Sequence, residues 1–287
     1  MNRIWRNTII NDTYEPGSTF KVITATAALD SGSVTLNNHY SCSGRIHVAD
    51  RFVRCANARG HGAQTFAQSL QNSCNPAFIT WGLMTGKDNM VKYMESLGLY
   101  SKTGVDLPGE AGSIIHKTEN IKELDLAIMS FGQSFQITPL QLLRAVSAVV
   151  NGGKLVTPHF GVKKIDTEGN ISVLEYEKSG TIIKQSTTET MRGLLKNVVE
   201  LGGGLNCRIE GYSIAGKTAT SEKLPRGNGK YIASFIGIAP AENPQVIAMC
   251  IIDEPVGMHY GGVIAAPVVK SLFENILPYL GIEKGQT

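Results

Sequence analysis

The sequence predicts an α+β (α/β-class) domain in which an antiparallel sheet is flanked by helices and joined to a mostly helical lobe. Two observations carry this prediction. Apolar stretches suited to strands lie near the C-terminus, at 231–239 and 245–252, and the turn-forming residues of 241–244 separate them. Strands joined by so short a turn must be antiparallel. Helical periodicity and capping residues, in contrast, dominate from residue 65 to residue 151.

The size and composition of the chain fit one catalytic unit. It has 287 residues, 42% of them hydrophobic, and a formal net charge of +3, enough for one large domain or two lobes around a cleft. No long Lys/Arg run indicates nucleic acid or an acidic membrane surface as a partner. No apolar run is long enough for a membrane helix, and residues 1–6 lack the core of a signal peptide. The five cysteines are odd in number and widely spread, which argues against a disulfide framework.

The first stretch that suggests chemistry is YEPGSTFK at residues 14–21, followed by an apolar helical pattern over 22–29. Pro16 and Gly17 predict a tight turn that places Ser18 at the positive end of a helix. Lys21, three residues on, shares its face, and a lysine of lowered pKa can activate a serine. A capping serine and a solvated lysine would give the same pattern. The apolar flanks favour a buried lysine, which has to be paired or catalytic.

Residues 33–63 are polar and predicted to be irregular. Cys42, Asp50, Cys55 and His61 within this segment offer two thiolates, a carboxylate and an imidazole, which would complete a tetrahedral zinc shell. Their spacing is not that of a standard zinc ribbon. Two buried thiols, or a Cys42–Cys55 disulfide, are the alternatives.

The next helical pattern begins at Thr65 and stops at a turn that presents Ser73 and Asn75, because Pro76 excludes its predecessor from helical geometry. On its own, a serine and an asparagine before proline is a common capping arrangement. The later elements are predicted as helices at 78–83, 90–97, 139–150, 187–199 and 263–280, and a hairpin at 162–176. Capping boxes of Thr138 with Gln141, and of Ser186 with Glu189, predict two of the helix starts.

A third feature occupies residues 212–223. An alternating pattern predicts a strand that leads into Lys217, Thr218 and Thr220, and the small residues around them leave room for a ligand or another backbone at the strand edge.

The three features occur in the order S-x-x-K, S-x-N and K-T-x, and this order resembles the S-x-x-K, S-x-N, K-T-G signature of penicillin-recognising serine acyltransferases. Nearly the whole chain resembles the transpeptidase domain of class B penicillin-binding proteins, most closely the sporulation type. Further likeness lies at residues 14–17, 60–62, 73–76, 138–141, 151–154 and 260–267. The implied fold is that of penicillin-binding proteins and serine β-lactamases.

The resemblance implies acyl transfer on the D-Ala-D-Ala end of peptidoglycan stem peptides. Ser18 would attack the penultimate D-Ala carbonyl, and Lys21 would take the proton of Ser18. Ser73 would relay a proton to the leaving D-Ala, while Lys217 keeps this network charged. An acceptor amine then releases the acyl group as a cross-link, and β-lactams would trap Ser18.

The resemblance also implies the substrate contacts. Asn75 would bind an amide of the substrate, and Thr218 and Thr220 would hold its terminal carboxylate together with Lys217. The backbone N–H groups of Ser18 and Thr220 would form the oxyanion hole. Catalysis would need no cofactor. The resemblance also places Cys42 and Cys55 near the S-x-N turn, so the zinc ion considered above would set the position of Ser73 and Asn75.

The implied partners are stem peptides, β-lactams and a glycosyltransferase, and the implied location is the extracytoplasmic face of the cell membrane, in a sporulation enzyme the outer membrane of the forespore. We expect one transpeptidase domain over 1–287, with a helical lobe at 33–150 and a sheet lobe at 154–280 completed by 1–30. Because the family's domain begins further upstream, we expect an N-terminally truncated chain whose sheet lacks strands.

Ala219 replaces the glycine of the third motif, and its methyl group reduces access of the substrate if the methyl points toward the substrate.

Two rival functions stay open at this point. A serine β-lactamase of the same fold would need an additional general base, for which no carboxylate stands out, although Glu110 is not excluded. Ala219 and the short N-terminal segment favour the second rival, a non-catalytic β-lactam sensor or scaffold.

Overall fold

The computed structural model describes residues 5–285, so residues 1–4 of the stretch tested as a signal peptide lie outside the described residues, as do residues 286–287. The helices are α1 (Thr8–Asn11), α2 (Lys21–Asp30), α3 (Phe66–Gln71), α4 (Asn75–Thr85), α5 (Lys87–Ser96), α6 (Glu123–Met129), α7 (Pro139–Val150), α8 (Gln185–Leu201), α9 (Gly261–Ile264) and α10 (Ala266–Tyr279). The strands are β1 (His39–Cys42), β2 (Arg45–Val48), β3 (Arg51–Arg54), β4 (Gly62–Thr65), β5 (Lys154–Val156), β6 (Lys163–Ile165), β7 (Ile171–Val173), β8 (Lys178–Thr181), β9 (Ala215–Glu222), β10 (Tyr231–Ala239) and β11 (Val246–Asp253). Between residues 5 and 285, no helix combines the length and the apolar character that crossing a bilayer requires.

The main sheet is antiparallel, as the short turn between its last two strands predicts. Its strand order is β11-β10-β9, and Phe235 of β10 lies opposite Cys250 on one side and Thr218 on the other. Helix α10 packs against this sheet and buries Val269 and Phe273. Strand β9 is one of the two outer strands, and it lies against a 3₁₀ turn at Gly17–Phe20. The mixed α and β architecture is therefore confirmed.

Helix α2 is the centre of the helical packing, with α4, α5, α7 and α8 around it. All of its residues except Leu29 are buried, which is the environment that a helix apolar on every side requires. Its one acidic residue, Asp30, accepts hydrogen bonds from the Tyr93 hydroxyl at 2.6 Å and from the Lys184 amide at 2.9 Å. The predicted burial of this helix is confirmed.

The segment expected to be irregular, residues 33–63, contains strands, so that expectation was wrong. Strand β1 pairs with β4, and β2 pairs with β3 in a hairpin. The strands are only four residues long, and arginine or histidine fills the exposed positions of β2. The sequence of this segment therefore looks polar, although exposed and less exposed residues alternate along β2.

Helix starts were predicted with mixed success. The capping box of Thr138 and Gln141 is present, and α7 begins at Pro139. The box of Ser186 and Glu189 is absent, because α8 begins at Gln185 and Ser186 is already inside it.

The last predicted helix is divided into α9 and α10 at Ala265, just before the first turn of α10, which contains Pro267. The apolar residues of this helix predict that Val268 and Leu272 pack on the sheet with Val269 and Phe273, but both are exposed.

Candidate active site

Ser18 lies on the 3₁₀ turn that leads into α2, where N–H groups have no intrahelical partner. Gly17 makes this turn fit. Its φ is +58°, and its amide donates to the Gly132 carbonyl oxygen at 2.8 Å. A β-carbon on Gly17 would lie 1.9 Å from the Ser221 hydroxyl oxygen. The turn is thus held between β9 and the chain around Gly132, in a space that only glycine fits.

Lys21 is fully buried, and its ammonium points at the second motif. Its Nζ donates to the Ser73 carbonyl oxygen at 2.6 Å, to the Ser73 hydroxyl at 3.2 Å and to Asn75 Oδ1 at 2.6 Å. Among residues 5–285, no hydrogen bond joins Lys21 Nζ to the hydroxyl of Ser18 in the preceding turn. Burial lowers the pKa of Lys21 to about 7, so a neutral amine is accessible near neutral pH.

Ser73 occupies the turn between α3 and α4 with a φ of +52°, a strained conformation for a residue other than glycine. This geometry brings its hydroxyl between two lysines: Lys217 Nζ donates to it at 3.0 Å and Lys21 Nζ at 3.2 Å. The adjacent Asn75 also donates from Nδ2 to the Arg54 carbonyl oxygen at 3.4 Å. Because two donors occupy the lone pairs of Ser73, its own proton is free to be donated.

Lys217 reaches this network from β9 and is buried as deeply as Lys21. It also donates to the Thr218 carbonyl oxygen at 3.0 Å. Burial, and next the positive charge of Lys21, hold the pKa of Lys217 well below its usual value. The two lysines therefore disfavour each other's protonation, and the site favours one ammonium with one neutral amine.

Thr218 and Thr220 alternate with Lys217 along β9 and so project from its opposite side. The Thr220 hydroxyl accepts a hydrogen bond from the Gly261 amide at 3.1 Å. A β-carbon on Gly261 would lie 2.2 Å from the carbonyl oxygen of Ala219. The start of α9 therefore lies directly on the third motif, and this contact requires glycine.

The side chain of Ala219 points to the 3₁₀ turn that carries Ser18, which we call the nucleophile turn. It is buried, and its methyl carbon lies 3.7 Å from where a β-carbon on Gly17 would be. It shares the Lys217 side of β9, opposite the two threonines.

A cluster of metal-binding side chains lies beside the second motif. The ligand atoms of Cys42, Cys55, His61 and Cys74 all lie within 4.8 Å of one another. The expectation of Asp50 as a ligand was wrong, because it is exposed at the turn between β2 and β3. Cys74 was missed, since only the fold brings the second motif to the segment of the other three.

The donor set of this cluster fits zinc. Three thiolates and an imidazole are a common structural zinc shell, and tetrahedral Zn–S bonds would place sulfur atoms about 3.8 Å apart. All five cysteines of the chain are free thiols, so the structure has no Cys42–Cys55 disulfide.

Glu110 and Glu15 are both held by structural partners. Glu110, the open candidate for a β-lactamase base, accepts hydrogen bonds from the amide and hydroxyl of Thr103 at 2.7 and 2.6 Å, and from the Gly104 amide at 3.1 Å. Glu15, which the motif analysis did not single out, accepts from the Ser134 amide at 2.9 Å and forms an ion pair with Arg226. Glu15 thus joins the nucleophile turn to the loop after β9.

A serine on a turn that leads into a buried helix, with two buried lysines sharing the hydroxyl of a second serine, is the arrangement of the penicillin-recognising serine enzymes. The chain belongs to the penicillin binding protein transpeptidase domain family, whose model matches residues 1–274. The resemblance to class B penicillin-binding proteins is confirmed by its relatives.

Stage V sporulation protein D of Bacillus subtilis is 39% identical over 97% of this chain and 44% of that protein. The probable peptidoglycan D,D-transpeptidase PenA of Neisseria flavescens is 32% identical over 96% of this chain and 67% of that protein. The apo transpeptidase domain of penicillin-binding protein 3 from Burkholderia pseudomallei has a TM-score of 0.86 and 27% identity, covering 99% of this chain and 85% of that domain. The chain spans from under half to two thirds of the length of these two curated relatives.

Proposed function

We propose that this chain is the catalytic domain of a peptidoglycan D,D-transpeptidase, which takes a stem peptide ending in D-Ala-D-Ala onto Ser18 and transfers it to an acceptor amine. Membership of the family supports this function, as does a relative named for the same activity. The observation that carries the proposal is the convergence of two buried lysines on the hydroxyl of Ser73. A structural role would not require two buried lysines at one hydroxyl.

The proposed reaction uses the neutral amine of one lysine and the proton of Ser73. The Ser18 oxygen attacks the carbonyl carbon of the penultimate D-Ala, and the Ser18 proton passes to the Lys21 amine. Ser73 donates its proton to the nitrogen of the leaving D-Ala as the C–N bond breaks, and Lys21 resupplies it. Lys217 keeps its hydrogen bond to the Ser73 hydroxyl throughout. The amine of the acceptor strand then attacks the acyl carbonyl carbon, the ester bond to Ser18 breaks, and a proton of the amine returns to the Ser18 oxygen through Lys21.

We propose the substrate contacts on the same basis. The terminal carboxylate would lie at the edge of β9, where Lys217 on one side of the strand and the hydroxyls of Thr218 and Thr220 on the other would contact it. Asn75 would bind an amide of the peptide. The N–H groups of Ser18 and Thr220 would stabilise the oxyanion. The placement of Ser18 at the start of a helix supports its part, since the dipole favours negative charge there.

Mass spectrometry after incubation with benzylpenicillin tests the nucleophile. We expect one stable adduct on wild type and on Ser186→Ala, an exposed serine of α8, and none on Ser18→Ala. Release of the adduct within seconds would support a β-lactamase instead. A folded wild type with no adduct would support a non-catalytic scaffold. Release of D-Ala from a pentapeptide only when an acceptor amine is added would identify transpeptidation.

We also propose that Cys42, Cys55, His61 and Cys74 hold a structural zinc ion. The ion would stabilise the turn at Ser73 without entering the reaction. Elemental analysis should give about one zinc per chain, and a zinc-free, folded and active protein would overturn this assignment.

We propose an extracytoplasmic location, because the substrate lies outside the membrane, and the sporulation relative supports the forespore outer membrane as the site of action. A glycosyltransferase partner would supply the glycan strands.

A further inference from the structure

The net positive charge of this chain comes from one short segment. Residues 39–61 contain four arginines, three of the six histidines and a single acid, Asp50. The rest of the chain has 23 Lys/Arg and 23 Asp/Glu, so this segment accounts for the whole net charge of +3. No continuous basic run reveals it, because the arginines are separated by other residues.

The hairpin of β2 and β3 sorts these residues onto one face. Arg45 lies opposite Arg54, and His47 lies opposite Phe52. All four side chains are exposed, and we call them the arginine face. Phe52 is 62% exposed, with the Arg45 guanidinium 4.9 Å and the His47 ring 4.9 Å from its ring centroid. The face is a flat surface of cations and an aromatic ring.

The charges of this face lack compensation. Like charges directly opposite each other destabilise a strand pair. No guanidinium group of the hairpin or of Arg59 forms an ion pair or donates a hydrogen bond to any residue in the described range 5–285. The chain does pair its arginines elsewhere, as with Arg226 and Glu15. An anionic ligand would relieve this repulsion.

The opposite face of the hairpin fixes it beside the proposed active site. Val48 is buried against Ile79 and Phe131, with Ile46 and Val53 packed around them. At the end of β3, the Arg54 carbonyl oxygen accepts a hydrogen bond from Asn75, whose amide oxygen in turn contacts Lys21. The arginine face therefore belongs to an element that packs on the core and is joined to the second motif by a hydrogen bond.

We propose that the arginine face binds carboxylate groups of the peptidoglycan stem peptide other than the terminal one. This inference rests on the proposed transpeptidase function. The stem peptide carries free carboxylates upstream of D-Ala-D-Ala, and guanidinium groups bind carboxylates in a bidentate geometry. Phe52 offers an apolar surface for the peptide between them. The hairpin thus selects acidic stem peptides and raises their local concentration at Ser18.

Two pentapeptides that differ in one charge test this inference. The first carries a γ-linked D-glutamate with its α-carboxylate free, and the second has that carboxylate as the amide. In Arg45→Gln/Arg54→Gln we expect kcat/KM for the acidic peptide to fall about fivefold through KM, as the loss of one or two exposed ion pairs implies. The amidated peptide and benzylpenicillin should react as with wild type. Equal losses for both peptides, or no loss, would overturn the proposal.

Lys163→Gln/Lys164→Gln removes two exposed charges from the separate β6–β7 hairpin and should leave the preference for the acidic peptide unchanged. Co-sedimentation of Ser18→Ala protein with sacculi stripped of other wall polymers tests the surface without catalysis. Binding that is lost with both arginines supports it even if no substrate reacts, whereas absence of a penicillin adduct on wild type refutes the proposed function instead. Arginine-dependent binding to phosphatidylglycerol vesicles, with no effect on sacculi, would assign the face to a membrane and overturn the proposal.

Discussion

Replacing Gly17 by alanine should destabilise the protein in two ways, through the left-handed backbone conformation of the nucleophile turn and through crowding against Ser221. The φ of +58° is left-handed, which costs alanine about 1 kcal/mol relative to glycine. The new β-carbon would also lie 1.9 Å from Ser221 Oγ, and overpacking of this kind costs about 1–3 kcal/mol. We therefore expect the free energy of unfolding to fall by about 2–4 kcal/mol.

Two companion variants isolate these terms. Gly32 has a φ of +76° and nothing within 4 Å of its would-be β-carbon, so Gly32→Ala should show the conformational cost of about 1 kcal/mol alone. Ser221→Ala removes the clashing hydroxyl and leaves its β-carbon 3.3 Å away. Gly17→Ala/Ser221→Ala should therefore recover most of the overpacking term.

Urea denaturation measures these stabilities, and the rate of labelling by a fluorescent penicillin reports the position of Ser18. We expect Gly17→Ala to acylate at least about tenfold more slowly, because small displacements of a reacting group cost one to two orders of magnitude. The double variant should regain part of this rate. If Gly17→Ala lost no more stability than Gly32→Ala and labelled at the rate of wild type, the packing argument would be refuted.

Three further predictions follow from burial and charge. Because the pKa of Lys21 is about 7 and only its neutral amine accepts a proton, the acylation rate should rise with pH through about 7 and fall about tenfold per pH unit below that value. A flat profile from pH 5 to 9 would contradict the role of Lys21 as the base. Cys55→Ser should lower both the zinc content and the thermal midpoint, and a zinc content equal to wild type would place the ion elsewhere. Arg226→Ala removes one partner of Glu15, which is 10% exposed, and should lower the free energy of unfolding by about 1–3 kcal/mol. Lys196→Ala breaks an exposed ion pair and should lower it by less than about 1 kcal/mol in the same urea titration.

Local signals in the sequence predicted the elements that local physics decides. Thr138 with Gln141 marks a helix start because the capping hydrogen bonds lie within four residues. The burial of α2 follows from its composition, and the turn before β11 fixes the direction of that strand. The motif residues were found because their types and order are specific for one chemistry.

The contacts between distant segments were not predictable in the same way. Nothing near Cys74 indicates that it joins Cys42 and Cys55, because this depends on how α4 packs against the hairpin. Asp50 was chosen for its residue type and because it lies near the two cysteines in the sequence, yet it is exposed in the turn between β2 and β3. The position of Lys21 also differs from the helical-face argument, since its hydrogen bonds go to Ser73 and Asn75 rather than Ser18.

Three consecutive residues explain why the second motif depends on the rest of the fold. Ser73 faces the two lysines, Cys74 faces the thiol cluster, and Asn75 contacts both Lys21 and Arg54. Neighbouring side chains can diverge this sharply because the φ of Ser73 is positive, and that conformation is retained only when contacts on both sides hold it. The thiol cluster provides the contacts on one side and the lysines those on the other. The orientation of the Ser73 hydroxyl is therefore set jointly by the thiol cluster and the two lysines, which share a single turn.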